Sequence, residues 1–420
     1  MTQAFYTGVS GLKTHSGAID VVSDNLANVN TVGFRASNYE FASLFEEAIH
    51  TDSGLSNSYG TSTIGVGSRV QATPMVEEQG SIILSDRSTD MVIYGDGWFG
   101  VEGRGERYYT KNGAFTFDKN SDLVTVDGNY VLGTLANNIE GDTLTERIDY
   151  VPLGDVDKQQ ALRFPKYLVY PPEPTTSVDF LGNLGTEETQ RTMGSMLIDS
   201  ENNKNELKLV FEQSDPQPET GISWNVVATV TSADGEILYD TQEGVVTFDH
   251  RGALVSSTLT SIDNNGSSVA INLGKGFDGV VSISNVDITA SSSADGTVGG
   301  ELRGYDINKN GEVVATFTNG MQSSVGKIAV YHFQNDAGLD RASSTLFKES
   351  ANSGEAIFYQ NSDGENIVGT DISNFKLESS NVNMTYGLTD LIILQRAYDA
   401  NSKSVTTADE MIQKALNMGA

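Results

Sequence analysis

Cysteine is absent from the 420 residues, and its absence excludes disulfides, thiolate metal sites and cysteine nucleophiles together. Proline is scarce, at 8 residues, and histidine scarcer, at 4. His15, His50, His250 and His332 stand apart with no HxxxH or H-x-H spacing, so each is expected at a surface or interface rather than on a metal. No stretch nears the roughly 18 uninterrupted apolar residues of a membrane helix, which predicts a soluble chain without membrane insertion. The opening "MTQAFYTGVSGLKTHSG" lacks the basic start and continuous apolar run of a secretory signal. A cytoplasmic protein, or one exported by another route, is expected.

Positive charge is also in short supply: the net charge is −30. Residues 1–35 balance Lys13 and Arg35 against Asp20 and Asp24, and residues 384–420 carry a single net negative charge. The excess therefore lies between them. Such a body repels phosphate backbones and anionic lipid, which argues against nucleic-acid partners.

What is present is glycine, at 43 residues against an average usage of about 7%, and much Thr, Ser, Val and Asn. That composition favours short strands joined by turns, and the length predicts two to four domains. "DMVIYGDGWFGVEG", "RYYTKNGAFTFDKNSDLVTVDGNYVLG", "ELKLVFE", "SWNVVATVTSADGEILYD", "EVVATFTNG" and "GKIAVYHF" alternate and turn as strands do. Asn112–Gly113 and Asp127–Gly128 are of hairpin-turn type. Pro171, Pro172 and Pro174 suggest the entrance to an inserted domain near residues 150–175, and "SSSADGTVGG" at 291–300 its exit.

Both chain ends break this β habit. Phe5, Leu12, Ile19 and Leu26 recur every seven residues, with Val9, Val22 and Val29 filling the same face. At the other end Leu388, Leu391, Ile392, Tyr398, Val405, Ile412 and Leu416 form a second apolar stripe. Gln395, Ser402 and Asp409 make that seam too wet for a strict two-stranded zipper, so a shared multi-helix interface is expected. The first stripe ends in "SDNLANVNTVGFR", where Asn25, Asn28, Asn30, Thr31, Gly33 and Phe34 are expected to form a turn, Asn tolerating and Gly permitting positive φ.

Chemistry is harder to find. "DINKNGE" imitates the start of a calcium loop, but its twelfth position is Phe317 where a bidentate Glu is needed, so a β-turn is expected, as for "DKNSD" at 118–122. No G-x-S-x-G elbow, phosphate loop or dinucleotide fingerprint occurs. Carboxylates are too abundant for any one pair to mark a glycosidase dyad. No catalytic, cofactor-binding or metal residue is nominated, and the chain is not expected to be an enzyme.

These segments together resemble a known family. "VSGLKTHSGAIDVVSDNLANVNTVGFRAS" is similar to the N-terminal signature of the flagellar rod and hook axial proteins, and "ESSNVNMTYGLTDLIILQRAYDANSKSVTTADEMIQKAL" to the C-terminal one. "DMVIYGDGWFGV" and the block from Tyr108 to Gly133 resemble the family's β-body. The length, "VDFLGNLGTEE" (Val178 to Glu188) and the segment from Tyr305 to Phe347 resemble the hook branch rather than the shorter rod proteins. Asn383 stands where the family usually has Asp.

The resemblance implies a mostly β fold with helical termini in four parts. An inner helical polymerisation domain would comprise residues 1–33 and 380–420, and a connecting segment 34–70 and 351–379. A discontinuous β-domain would comprise 71–148 and 295–350, and an inserted outer β-domain 149–294. It further implies a hook subunit that assembles with itself into a curved, flexible tube carrying motor torque from rod to filament. Phe5, Val9, Leu12, Ile19, Val22, Leu26, Leu388, Leu391, Tyr398, Val405 and Ile412 would pack within the subunit and between neighbours. Implied partners are the distal rod protein, the hook cap, the hook–filament junction protein and the flagellar type III export apparatus, with a location outside the cell and no cleaved signal. Two other readings stay open: a distal-rod-like or accessory axial protein, and an extracellular β-sandwich adhesin or carbohydrate-active protein.

Overall fold

Glycines, more than the large apolar residues, decide how the two terminal helices meet. The computed structural model describes residues 2–44, 46–48, 63–65, 67–187, 189–287 and 289–418. Helix α1 spans Thr2–Ala27 and helix α2 spans Met384–Met418. A Cβ built on Gly8 would lie 2.7 Å from a Val405 methyl, and one on Gly11 would lie 2.6 Å from Asn401 Oδ1. Further along, Ala18 and Val22 cluster with Leu394. Rising numbers on α1 therefore meet falling numbers on α2, and the helices run antiparallel. Asn383 opens α2 as an N-cap, its Oδ1 accepting from Thr385 N at 3.0 Å and Tyr386 N at 3.2 Å. The amide does here what a family Asp would do.

The chain before and after the expected insertion shares one sheet. Strand Tyr130–Leu135 pairs antiparallel with Trp98–Gly103 through Tyr130 and Val131, and with Gln322–Ile328 through Gly133 to Leu135. Gln322–Ile328 pairs in turn with Glu312–Phe317, and that strand with Gly300–Ile307. One core under this sheet gathers Phe99, Phe115, Val131, Phe317 and Ile328, and a second gathers Trp98, Tyr109, Tyr331 and Phe347. Leu162, Phe164, Leu168 and Tyr170 pack in the first of these cores. The expected boundary at 149 is thus too early, because alternating apolar residues on either side of a domain entrance look alike. The two chain crossings lie side by side at Glu173 and Thr297.

Beyond that crossing lies a separate sandwich. Gln190–Ile198, Lys204–Gln213, Ile222–Ser232, Leu238–Phe248 and Leu254–Ser257 form an antiparallel five-stranded meander. Residues 204–213 alternate buried and exposed, the mark of a strand with one wet face. The facing sheet is mixed: Ser177–Asn183 pairs parallel with Ser267–Asn272 and Asp278–Val281, and antiparallel with Ala290–Ala294. Phe180, Phe211 and Trp224 fill the space between.

Several expectations about turns meet the structure here. Asp127–Gly128 closes the hairpin joining Leu123–Thr125 to Tyr130–Leu135, with Gly128 at φ +80°. Residues 118–122 and 308–312 are β-turns as expected, and Asn308 Oδ1 accepts from Asn310 N and Glu312 N at 2.9 and 3.0 Å. Asn112–Gly113 is not a hairpin. Strand Glu106–Thr110 pairs with Trp98–Gly103 and Phe115–Phe117 with Leu123–Thr125, so the dipeptide links strands with different partners. Gly113 is needed for another reason, since a Cβ there would fall 2.0 Å from the Met91 carbonyl. His332, expected at a surface or interface, is buried with its Nε2 2.7 Å from the Val368 carbonyl oxygen and its ring against Tyr359. His50, with the rest of 49–62 and positions 45 and 66 of the connecting segment 34–70, and Glu188 of the hook-like motif lie outside the described residues.

Candidate assembly face and the junction behind it

The helices meet along small residues together with Val22 and Leu394, and most of their other large apolar residues are only half-buried or exposed. Val22 is buried, at 4% exposure. Phe5, Leu12, Ile19, Leu26, Leu391, Val405 and Ile412 are half-buried. Val9, Leu388 and Tyr398 are exposed. Of the nominated residues, the structure brings Val22, Ile19 and Leu391 together. Sequence reading missed Gly8, Gly11, Ala18, Leu394 and Ala408, all buried. A search for small residues at helical spacing would have found Gly8, Gly11 and Ala18.

The outer surface of the pair is apolar to an unusual degree for water-facing helices. Tyr6 is 68% exposed, Tyr386 73%, Ile392 54%, Ile393 58%, Leu416 69% and Met418 89%. α2 has 35 residues against 26 in α1, and its last turns run past the start of α1 in the antiparallel register. Leu416 and Met418 lie on that unaccompanied tip.

The asparagine turn ties α1 to the body. Asn25 holds Ser37 in both directions: its Nδ2 donates to the Ser37 carbonyl at 2.7 Å, and its Oδ1 accepts from Ser37 N at 2.9 Å. Asn28 Oδ1 accepts from Thr31 Oγ1 at 3.1 Å, which tightens the turn, while Asn30 is exposed. Gly33 sits at φ +69°, and a Cβ there would come within 2.4 Å of Asn112 N. Phe34 is buried beneath the Arg341 guanidinium, whose carbon lies 5.0 Å from the ring centre.

Behind this turn is a buried ionic junction that residue spacing did not reveal. Arg35 Nη2 lies 2.9 Å from Glu378 Oε1, and both side chains are almost fully buried. Glu378 Oε1 also accepts from Gly80 N at 2.8 Å, and Arg35 donates to the Glu78 carbonyl. Asn381 continues the clasp, its Oδ1 accepting from Ala36 N at 2.7 Å and its Nδ2 donating to the Val76 and Glu78 carbonyls. The two chain ends are thereby locked to each other across more than 340 residues. Burial lowers the Arg35 pKa, and the Glu378 charge opposes that shift. Nearby, Lys111 Nζ donates to the Gly95 carbonyl at 2.9 Å and stands over the Trp98 ring. Burial, aided by the Arg35 charge, pushes the Lys111 amine down to about 8, against the pull of Glu378.

No helix among the described residues is long and apolar enough to cross a membrane. Residues 5–35 match the family described as flagella basal body rod protein. Residues 92–156 match the flagellar hook protein FlgE/F/G D1 domain, and residues 375–418 the flagellar basal body rod FlgEFG protein C-terminal domain. The flagellar hook protein FlgE of Borreliella burgdorferi is 28% identical over 468 residues, covering 100% of both chains. That of Brucella suis is 29% identical over 435 residues, covering 98% of each. That of Escherichia coli is 24% identical, covering 99% of this chain and 100% of its own. The crystal structure of Helicobacter pylori flagellar hook protein FlgE2 superposes with a TM-score of 0.51 at 15% identity, over 71% of this chain and 100% of that one, which is a likeness of fold.

Proposed function

We propose that this chain, a member of the flagellar rod and hook axial protein family, is a structural subunit of the flagellar hook. It assembles with itself into a curved tube outside the cell and transmits torque from rod to filament as a flexible joint. The observation that carries this reading is the helical pair with its apolar side chains outside, Tyr6, Tyr386, Ile392 and Ile393 among them. A lone two-helix unit has no use for such a surface, and a tube wall of packed helices does. Phe5, Val9, Leu12, Leu388, Tyr398 and Ile412 then make contacts between neighbours, while Val22 and Leu391 hold the pair within one subunit.

The same surface supports a coupling of folding to assembly, in which helices with few internal partners order fully only in the polymer. The β-body and sandwich form the outer layers. Their acidic, hydrated contacts slide more easily than interlocked apolar ones, which suits a joint that bends as it turns. The distal rod protein, the hook cap, the hook–filament junction protein and the type III export apparatus are the partners this role requires, and export proceeds without a cleaved signal. The deciding experiment removes residues 1–30 or 385–420 and examines the purified chains by negative-stain microscopy beside the full chain. Tubes from the full chain only are expected, and unimpaired tubes from either truncation would sink the reading. Hook stiffness measured against salt tests the sliding layer, where independence of salt counts against it.

A further inference from the structure

Two exposed apolar patches lie at opposite ends of the helical pair, and one rigid chain cannot bring them together. The first is the two-stranded ribbon in which Ile82–Leu84 pairs with Lys376–Glu378. Ile82, Ile83 and Leu84 are 37%, 44% and 84% exposed, and the neighbouring Phe375 is 44% exposed. An exposed apolar strand with a free edge is a feature that folded chains ordinarily blunt with charge or cover. Phe375 adds an independent sign. It sits at φ +57°, a left-handed conformation that bulky residues rarely adopt, and its carbonyl is tied to Ser85 N at 2.8 Å. The backbone is strained where it presents that ring.

The second patch is the tip of α2, where Met411, Leu416 and Met418 are 51%, 69% and 89% exposed. The ribbon runs into the start of α2 through Ser379–Asn383, so the two patches are separated by the whole helix. Its 35 residues make a rod of about 52 Å. The charges lean the same way: Lys414 is the one charged residue between 411 and 418, and the border of the ribbon is net acidic, Glu77, Glu78 and Asp86 against Lys376 and Arg87.

The geometry points to a head-to-tail contact in which the α2 tip of one copy docks on the Ile82–Leu84 and Phe375 ribbon of the next. Unlike patches that cannot pair within a chain make a heterologous contact, and such a contact propagates instead of closing as a dimer. This inference rests on the self-assembly reading and specifies the surfaces.

A cysteine-free chain allows a direct test. Leu84→Cys and Leu416→Cys are made singly, the two full-length variants are copolymerised, and the polymer is oxidised briefly. Disulfide-linked dimers containing one of each variant are expected, and the double variant should give a ladder of multimers. Polymers that form but yield only monomers, or only Leu84–Leu84 pairs, overturn the contact and leave self-assembly standing. Failure of the unmodified chain to polymerise overturns both. Leu84→Asp should raise the critical concentration at least about tenfold, whereas Ile237→Asp on the outer sandwich should not. Phe375→Gly separates display from structure: monomer melting is unchanged or raised while the critical concentration rises. An unchanged critical concentration for a folded Phe375→Gly chain overturns the ring's assignment to the contact.

Discussion

The sandwich and the helical pair lie in one chain and are built on opposite terms. The sandwich buries Trp224, Phe211 and Phe180 between two sheets of its own, with many smaller apolar residues around them. The helical pair buries little beyond Ala18, Val22 and Leu394, and leaves Tyr6, Tyr386, Ile392 and Ile393 outside. Since apolar burial is the main favourable term in folding, the sandwich is self-sufficient and the helices depend on what covers them. A domain with its core inside stays folded alone, and one that leaves its apolar residues outside gains little from its own burial.

Four changes sharpen or break that contrast. The largest effect is expected at Trp224→Ala, which should cost the sandwich about 3–5 kcal/mol through the cavity it leaves. Denaturant unfolding followed by circular dichroism would show it, with Trp98 reporting the other β-domain separately. If the layers are independent, tube formation at low temperature persists. A sandwich mutation that abolishes tubes without unfolding the sandwich would break the comparison.

Next comes the junction between the two regions. Arg35→Met leaves Glu378 buried without its cation and should cost about 3–5 kcal/mol. Proteolysis timed at the connecting segment should accelerate, while the sandwich transition stays where it was.

Lys111 yields a pH signature of about 3 kcal/mol. In the folded chain its amine is pushed down to about 8, whereas in the unfolded chain it titrates near the ordinary lysine value of about 10.4. Below pH 8 the folded state holds a disfavoured buried charge. Between pH 8 and 10 the unfolded state binds the extra proton, so stability rises with pH. Above that range Tyr331 and Tyr305, raised by burial, reverse the trend, because the unfolded chain ionises its tyrosines first. Unfolding curves at pH 7 to 9.5 for the native chain and Lys111→Met should differ in slope, with the variant flat.

The smallest effect belongs to the helical pair. Gly8→Val forces α1 off Val405 and should cost about 1–3 kcal/mol of helix packing. Because that packing contributes little to the monomer, its melting point should hardly move, yet tubes should form poorly. A large drop in monomer stability would show that the helices are structural in the isolated chain.

How far this was legible from residues differs by element. The helical stripes were plain, because seven-residue recurrence of large apolar side chains stands out against a β background. The true seam was not, because glycine and alanine carry no hydropathy signal and mark an interface only through how closely two backbones approach. Asp127–Gly128 and Asn308–Gly311 were readable as turns, since local hydrogen bonds and positive φ decide them. Asn112–Gly113 has the same letters, but its strands choose partners far away, and Gly113 is demanded by the Met91 carbonyl. The motif asparagines announced a helix end, while the reach of Asn25 to Ser37 appeared only with the fold.

Local rules acting on the chain alone determined the helices at both ends, the β-rich middle, the acidic body and the freedom from disulfides. These follow from side-chain size, periodicity and charge, which are properties of neighbours in sequence. Tertiary structure decided which residues face the seam, which face outward, and that Arg35 and Glu378 meet in the interior. A buried ion pair needs both partners desolvated at one point, and residues 35 and 378 reach that point only once the sheets have closed between them.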